Sequence, residues 1–110
     1  MSFQHQELAL GRWQQMTLIA QMANIGSEVE RFLSWRTKNN PELSRKAFNR
    51  ALELIELTLV DPKHSKRLKE IARLRETFLG DYIGNEQVPA IDASWRKYFM
   101  HFALAARKNR

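Results

Sequence analysis

The stretch "NNPELSRKAFNRALELIELTLVDP", residues 39–62, decides the fold. It is punctuated in the same way at both ends. Asn40-Pro41 and Asp61-Pro62 each set a capping side chain before a proline, a residue that suits the first helical position because its missing N–H is not needed there. Glu42 adds an acid to the first turn, where the helix dipole favours it. Between the two marks, Leu43, Ala47, Ala51, Leu54, Ile55 and Thr58 recur at spacings of three and four, and Phe48, Leu52 and Leu59 broaden the stripe. A stripe that wide belongs to a helix buried by its neighbours. The pattern predicts a helix from Pro41 to Val60, with further helices before and after it.

Upstream, Leu18, Met22, Ile25, Val29, Phe32 and Leu33 share one helical face. They predict a long helix that starts near Glu7 or Gly11 and fades at "TKNN", residues 37–40. Trp13, Met16, Ala20 and Ala23 fall on the opposite side, so its first half is apolar nearly all round. These four are the candidate oligomer interface, and a homo-oligomer is expected; the alternative is a helix enclosed by its own neighbours. Downstream, Pro62 opens a helix carrying Leu68, Ile71, Ala72, Phe78, Leu79 and Tyr82, closed by Gly84-Asn85. After the loop "NEQVPAI", Asp92 is the expected cap of a last helix with Trp95, Tyr98, Phe99, Phe102 and Ala106 inward. No segment alternates as a strand would, and the connections are short. The expectation is an all-α antiparallel up-down bundle of about four helices, one domain over residues 1–110 with a frayed N-terminus and a frayed tail, "RKNR".

Composition agrees with one folded domain: 110 residues, 44% hydrophobic, with three Trp and six Phe. The absence of cysteine excludes disulfides and thiolate metal sites. No signal peptide or membrane span is readable, so a cytoplasmic protein with no membrane partner is expected. His5, His64 and His101 fall in three different segments, no Glu-x-x-His pair occurs, and the four glycines are scattered. No metal, no cofactor and no phosphate loop is therefore expected. Glu53 and Glu56, one turn apart, read as a solvated edge rather than an acid/base pair.

Charge is unevenly spread. Residues 1–61 hold seven basic and seven acidic side chains, and residues 62–110 hold eleven and five. The densest part is "KHSKRLKEIARLR", residues 63–75. Lys66, Lys69 and Arg73 recur at helical spacing away from the apolar stripe, while Lys63 and Arg67 fall in the first turns, where cations oppose the helix dipole and a bound anion is favoured. These five residues are the candidate anion-binding set, with nucleic acid or an acidic protein as the possible partner. The competing reading is a solvated face laced by Lys66–Glu70 and Glu70–Arg73 pairs. Aromatic residues that would stack single-stranded bases are missing from the stripe.

Three stretches, "MANIGSEVERFLSWR", "RALELIELTLVDP" and "KYFMHFALAARK", resemble a family of small prokaryotic helical proteins with no assigned activity. The resemblance implies a helical cytoplasmic protein and carries over no functional residue. Arg96 and His101 also resemble the Arg-x-x-x-x-His signature of HEPN-type helical ribonucleases, although Lys97 stands where a small polar residue commonly follows the arginine. That likeness implies catalysis by Arg96 and His101. Against it, eleven Arg and three His in 110 positions give such a spacing about 0.3 times by chance. Five residues also turn a helix by about 500°, leaving the two side chains roughly 140° apart. The expectation is a non-enzymatic, oligomeric helical interaction module, with the ribonuclease as the alternative.

Overall fold

The computed structural model describes residues 11–84 and 87–108. All regular structure among them is helical: α1 (Trp13–Gln15), α2 (Leu18–Thr37), α3 (Pro41–Leu59), a 3-10 turn (Pro62–Arg67), α4 (Leu68–Tyr82) and α5 (Pro89–Lys108). The protein is all-α, as its periodicity implies. Glu7, the expected fraying of the N-terminus, Asn85, and Asn109 and Arg110 of the tail lie outside the described residues.

Both proline marks work as capping signals. The Asn40 side chain accepts from the backbone N–H of Leu43 at 3.1 Å with Pro41 at the first helical position, and Asn39 turns the chain in the left-handed region at φ 58°. Asp61 accepts from the N–H of Lys63 at 3.0 Å. The turn it opens is 3-10 rather than α, because His64, at φ −104° and ψ 22°, leaves the helical region.

Three other boundaries differ from those expected. The first long helix is broken: Met16 is extended at ψ 150°, and Thr17 starts α2 by accepting from the N–H of Ala20 at 3.1 Å. The last helix begins at Pro89, so Asp92 lies inside its first turn instead of capping it. Asp92 accepts from the Tyr82 hydroxyl at 2.7 Å and faces Arg36 at 3.5 Å, tying α5 to α4 and α2. At the other end α5 continues through Arg107 and Lys108, half of the tail expected to fray.

The core runs through Ile25, Val29, Leu33, Ala51, Ile55 and Phe78. Packing is tightest along α2–α3 and α2–α5, with α4 resting on α3. The α2–α5 crossing is close because Gly26 has no side chain: a Cβ there would stand 2.8 Å from Cβ of Phe99. Phe32, Phe48, Phe78, Tyr82 and Trp95 form a connected aromatic cluster joining all four long helices, with ring centroids 4.9–6.3 Å apart. Tilted and edge-on arrangements predominate, as the quadrupoles of aromatic rings favour.

Candidate functional site: the seam between α4 and α5

The seam between α4 and α5 is only partly closed. At one end Phe78 meets Trp95 edge-on at 5.3 Å, and the indole Nε1 donates to Asp81 at 2.9 Å. At the other end Leu18, Met22 and Phe102 approach Ile71 and Leu74. Between them a trough of about 560 Å³ runs along the helices, with Leu74, Ile91, Trp95 and Tyr98 as its apolar surface and Arg73, Thr77 and Ser94 along its walls. Tyr98, placed inward by its periodicity, is 39% exposed because α4 does not cover it. Burial on its other side, and then the charge of Glu70, raise its hydroxyl above the ordinary tyrosine pKa.

The candidate cations divide into two groups. Lys63 is not the unpaired cation expected: its ammonium bonds Asp61 at 2.6 Å and the carbonyl of Gln14. It neutralises the buried capping carboxylate, which removes the dipole conflict inferred from the sequence. Arg67 lies 3.8 Å from Glu70 in an exposed pair, in place of the expected Lys66–Glu70 and Glu70–Arg73 pairs. Lys66, Lys69 and Arg73 are exposed, and among the described residues no ion pair engages them. Arg73 borders the trough, so the basic stripe and the apolar seam are adjacent.

Two of the four expected oligomer-interface residues, Trp13 and Met16, are used within the chain. Trp13 is 1% exposed, and its indole donates to Thr58 Oγ1 on α3 at 3.1 Å. Met16 packs against the core, while Ala20 and Ala23 are half-buried. The break at Met16-Thr17 is the reason. It rotates α1 away from the line of α2, so that two apolar sides face the same interior. Trp13 is therefore a core residue rather than an interface residue.

Arg96 and His101 are not brought together by a shared partner. The Arg96 Nε faces both oxygens of Glu30 on α2, at 2.9 and 3.2 Å, while His101 stands exposed on another side of α5. Glu56 pairs with Arg75 at 3.0 Å, and Glu53 is buried. Among the described residues no three His, Asp or Glu side chains converge as metal ligands.

One polar cluster was not anticipated. Gln21, Thr58, Asp61 and His64 come from three helical elements and a connection, and all four are buried. Gln21 Nε2 donates to the carbonyl of Trp13 at 2.8 Å and to Asp61 at 3.0 Å, leaving its Oε1 to accept from His64 Nε2 at 2.6 Å. The imidazole is thereby fixed with its proton on Nε2. Burial alone would raise the Asp61 pKa, but hydrogen bonds from the side chains of Lys63 and Gln21 and the Lys63 N–H outweigh it and hold the carboxyl below the usual range. Burial lowers the His64 pKa; Asp61 opposes this, and Lys63 and Arg67 reinforce it. The visible signal was Gln21, a polar residue beside Met22 on the apolar face of α2. With its main groups satisfied and shielded from solvent, the cluster is built for holding α1, α2 and α3 together rather than for chemistry.

Compared with known proteins, the chain matches no family model, no curated protein and no solved structure.

Proposed function

We propose that the protein is a non-enzymatic helical interaction module that binds an anionic macromolecule through the outer face of α4 and the turn before it. One observation carries this reading. Lys66, Lys69 and Arg73 stand exposed without an ion pair among the described residues, while Lys63 and Arg67 in the same segment are neutralised by Asp61 and Glu70. Unneutralised cations held on a rigid helical element raise the local concentration of an anionic partner and speed its encounter. The neighbouring apolar trough supplies contact area that a purely solvated charged face lacks. Catalysis forms no part of the proposal: the Arg96 guanidinium is engaged by Glu30, and the buried polar cluster has its bonds satisfied within the chain.

The test is binding of labelled duplex DNA, mixed-sequence RNA and polyglutamate at about 50 mM salt and above, where each neutralised duplex phosphate contributes about 0.9 to the slope of log affinity against log salt. Changing Lys66, Lys69 and Arg73 together to Ala is expected to weaken binding of whichever polyanion the face accepts. If that polyanion is the duplex, the slope should fall by up to about three units. Failure of all three polymers to bind at about 50 mM salt, where nonspecific attraction is strong, overturns the reading. RNA cut by the wild type and spared by His101→Ala would replace it with the ribonuclease.

A further inference from the structure

In a packed arrangement of four long helices each seam would normally be filled by interdigitating side chains. Here α5–α2, α2–α3 and α3–α4 are packed, and the remaining seam, α4–α5, is left as a trough of about 560 Å³. Its volume falls within the roughly 300–1,000 Å³ of small-ligand pockets, but its chemistry differs from theirs. Two of the polar groups that could orient a small molecule are already committed, Asp81 to the Trp95 indole and Glu70 to Arg67. What remains is an apolar floor between two helices, with Arg73 on the α4 wall and the rest of the basic stripe next to it. The exposed ring of the trough, Tyr98, is packed by Trp95, Phe99 and Phe102 at 5.7, 5.0 and 5.5 Å, which favours side-chain burial over base stacking.

We propose that this trough docks an amphipathic acidic helix of a partner protein. Its apolar stripe would lie on Leu74, Ile91, Trp95 and Tyr98, and its carboxylates would face Arg73, Lys69 and Lys66. The assignment rests on the anion-binding reading above and deepens it by naming the partner's chemistry. Charge complementarity selects the occupant and its orientation: Arg73 on the trough wall, with Lys69 and Lys66 exposed before it, draws the acidic flank outward toward the α4 stripe. Helix-in-groove recognition of this kind reads anchors at i, i+3, i+4 and i+7, which match a furrow between two helices.

The probe is a fluorescent helical peptide of about twenty residues with Leu at those anchor spacings and Glu elsewhere, set against a scrambled peptide of identical composition. The amphipathic peptide is expected to bind at least about tenfold more tightly than the scrambled one. Ser94→Glu should abolish that preference while leaving the thermal melt in place, since the position is exposed; Tyr98→Glu should abolish it as well, with a lower melt from the packing it loses against Trp95, Phe99 and Phe102. Changing Lys66, Lys69 and Arg73 together to Ala should weaken both peptides. Equal binding of the two peptides would overturn the inference and leave a polyanion-binding face, so the function proposed above would stand. Binding of RNA or DNA with no binding of either peptide would likewise overturn the inference alone, whereas no binding of any anionic probe would remove both. A dimer in light scattering that Ser94→Glu dissociates would put a second copy of the chain in the trough and overturn the partner assigned here.

Discussion

The junction of α1, α2 and α3 and the seam of α4 and α5 solve opposite problems with opposite chemistry. The first concentrates the groups that a search for chemistry would pick out, a histidine, an aspartate, a lysine, a glutamine and a threonine, and uses them up. Gln21 bridges Trp13, Asp61 and His64, Lys63 neutralises Asp61, and Thr58 accepts from Trp13 while donating to Leu54. The second also carries polar groups, but it leaves an apolar trough open beside exposed cations. Titratable residues alone are thus a poor guide to a working site in this protein. What distinguishes the seam is incompleteness among the described residues: apolar surface without a cover and, beside it, charge without an ion pair.

The contrast predicts that the junction governs stability and the exposed cations beside the seam do not. Trp13→Ala removes a buried indole and leaves Thr58 without its donor. It should cost roughly 3–5 kcal/mol in denaturant unfolding, in line with large-to-small core changes. A cost near that of a surface substitution would return Trp13 to the role of an interface residue. Gln21→Ala deletes one side chain that serves three partners. It should cost roughly 2–4 kcal/mol, since each buried group left unsatisfied costs about 1–3 kcal/mol and water recovers part of the loss.

Acid sharpens the comparison. Asp61 has a lowered pKa in the fold, so its stabilising contribution is present above the unfolded value of 3.8 and disappears as pH falls through the folded value. His64 is also lowered. It is held neutral, the unfolded chain binds its proton first, and stability therefore declines as pH drops below 6.5 toward the folded value. Thermal melts should show a decline that begins below pH 6.5 and steepens below 3.8. His64→Gln should flatten the upper part and retain the lower. The smallest effect belongs to the basic stripe: Lys66, Lys69 and Arg73 changed together to Ala should shift stability by no more than about 0.5 kcal/mol per site, as exposed substitutions away from caps and cores do.

The architecture was largely legible because its signals are local. Asn40-Pro41 and Asp61-Pro62 mark helix starts through their own side chains, and the stripes of α2 and α3 identify their buried faces. The break at Met16-Thr17 was hidden because it interrupts the hydrogen bonding without interrupting the apolar spacing. The resulting two-sided apolar pattern read as an interface between chains, whereas Trp13 and Met16 serve a fold-back within one. The buried cluster was hidden for a different reason: Gln21, Thr58, Asp61 and His64 meet only through tertiary packing across up to 43 positions. The basic stripe was legible as charge. Which of its members remain unpaired was not, since Lys63 and Arg67 look the same as Lys66 and Lys69 until Asp61 and Glu70 are placed. Periodicity assigned Tyr98 to the core correctly on one side. It could not show that α4 and α5 diverge, because the distance between two apolar faces is not written in either helix.

The most direct test of the central claim is a map of amide chemical shifts on isotopically labelled protein during titration with the acidic amphipathic peptide. The account predicts saturable shifts confined to residues 66–81 and 90–98, with the amides of Trp13, Gln21 and Thr58 unmoved. Shifts centred on the α1–α3 junction, or spread evenly over every exposed cation, would contradict it.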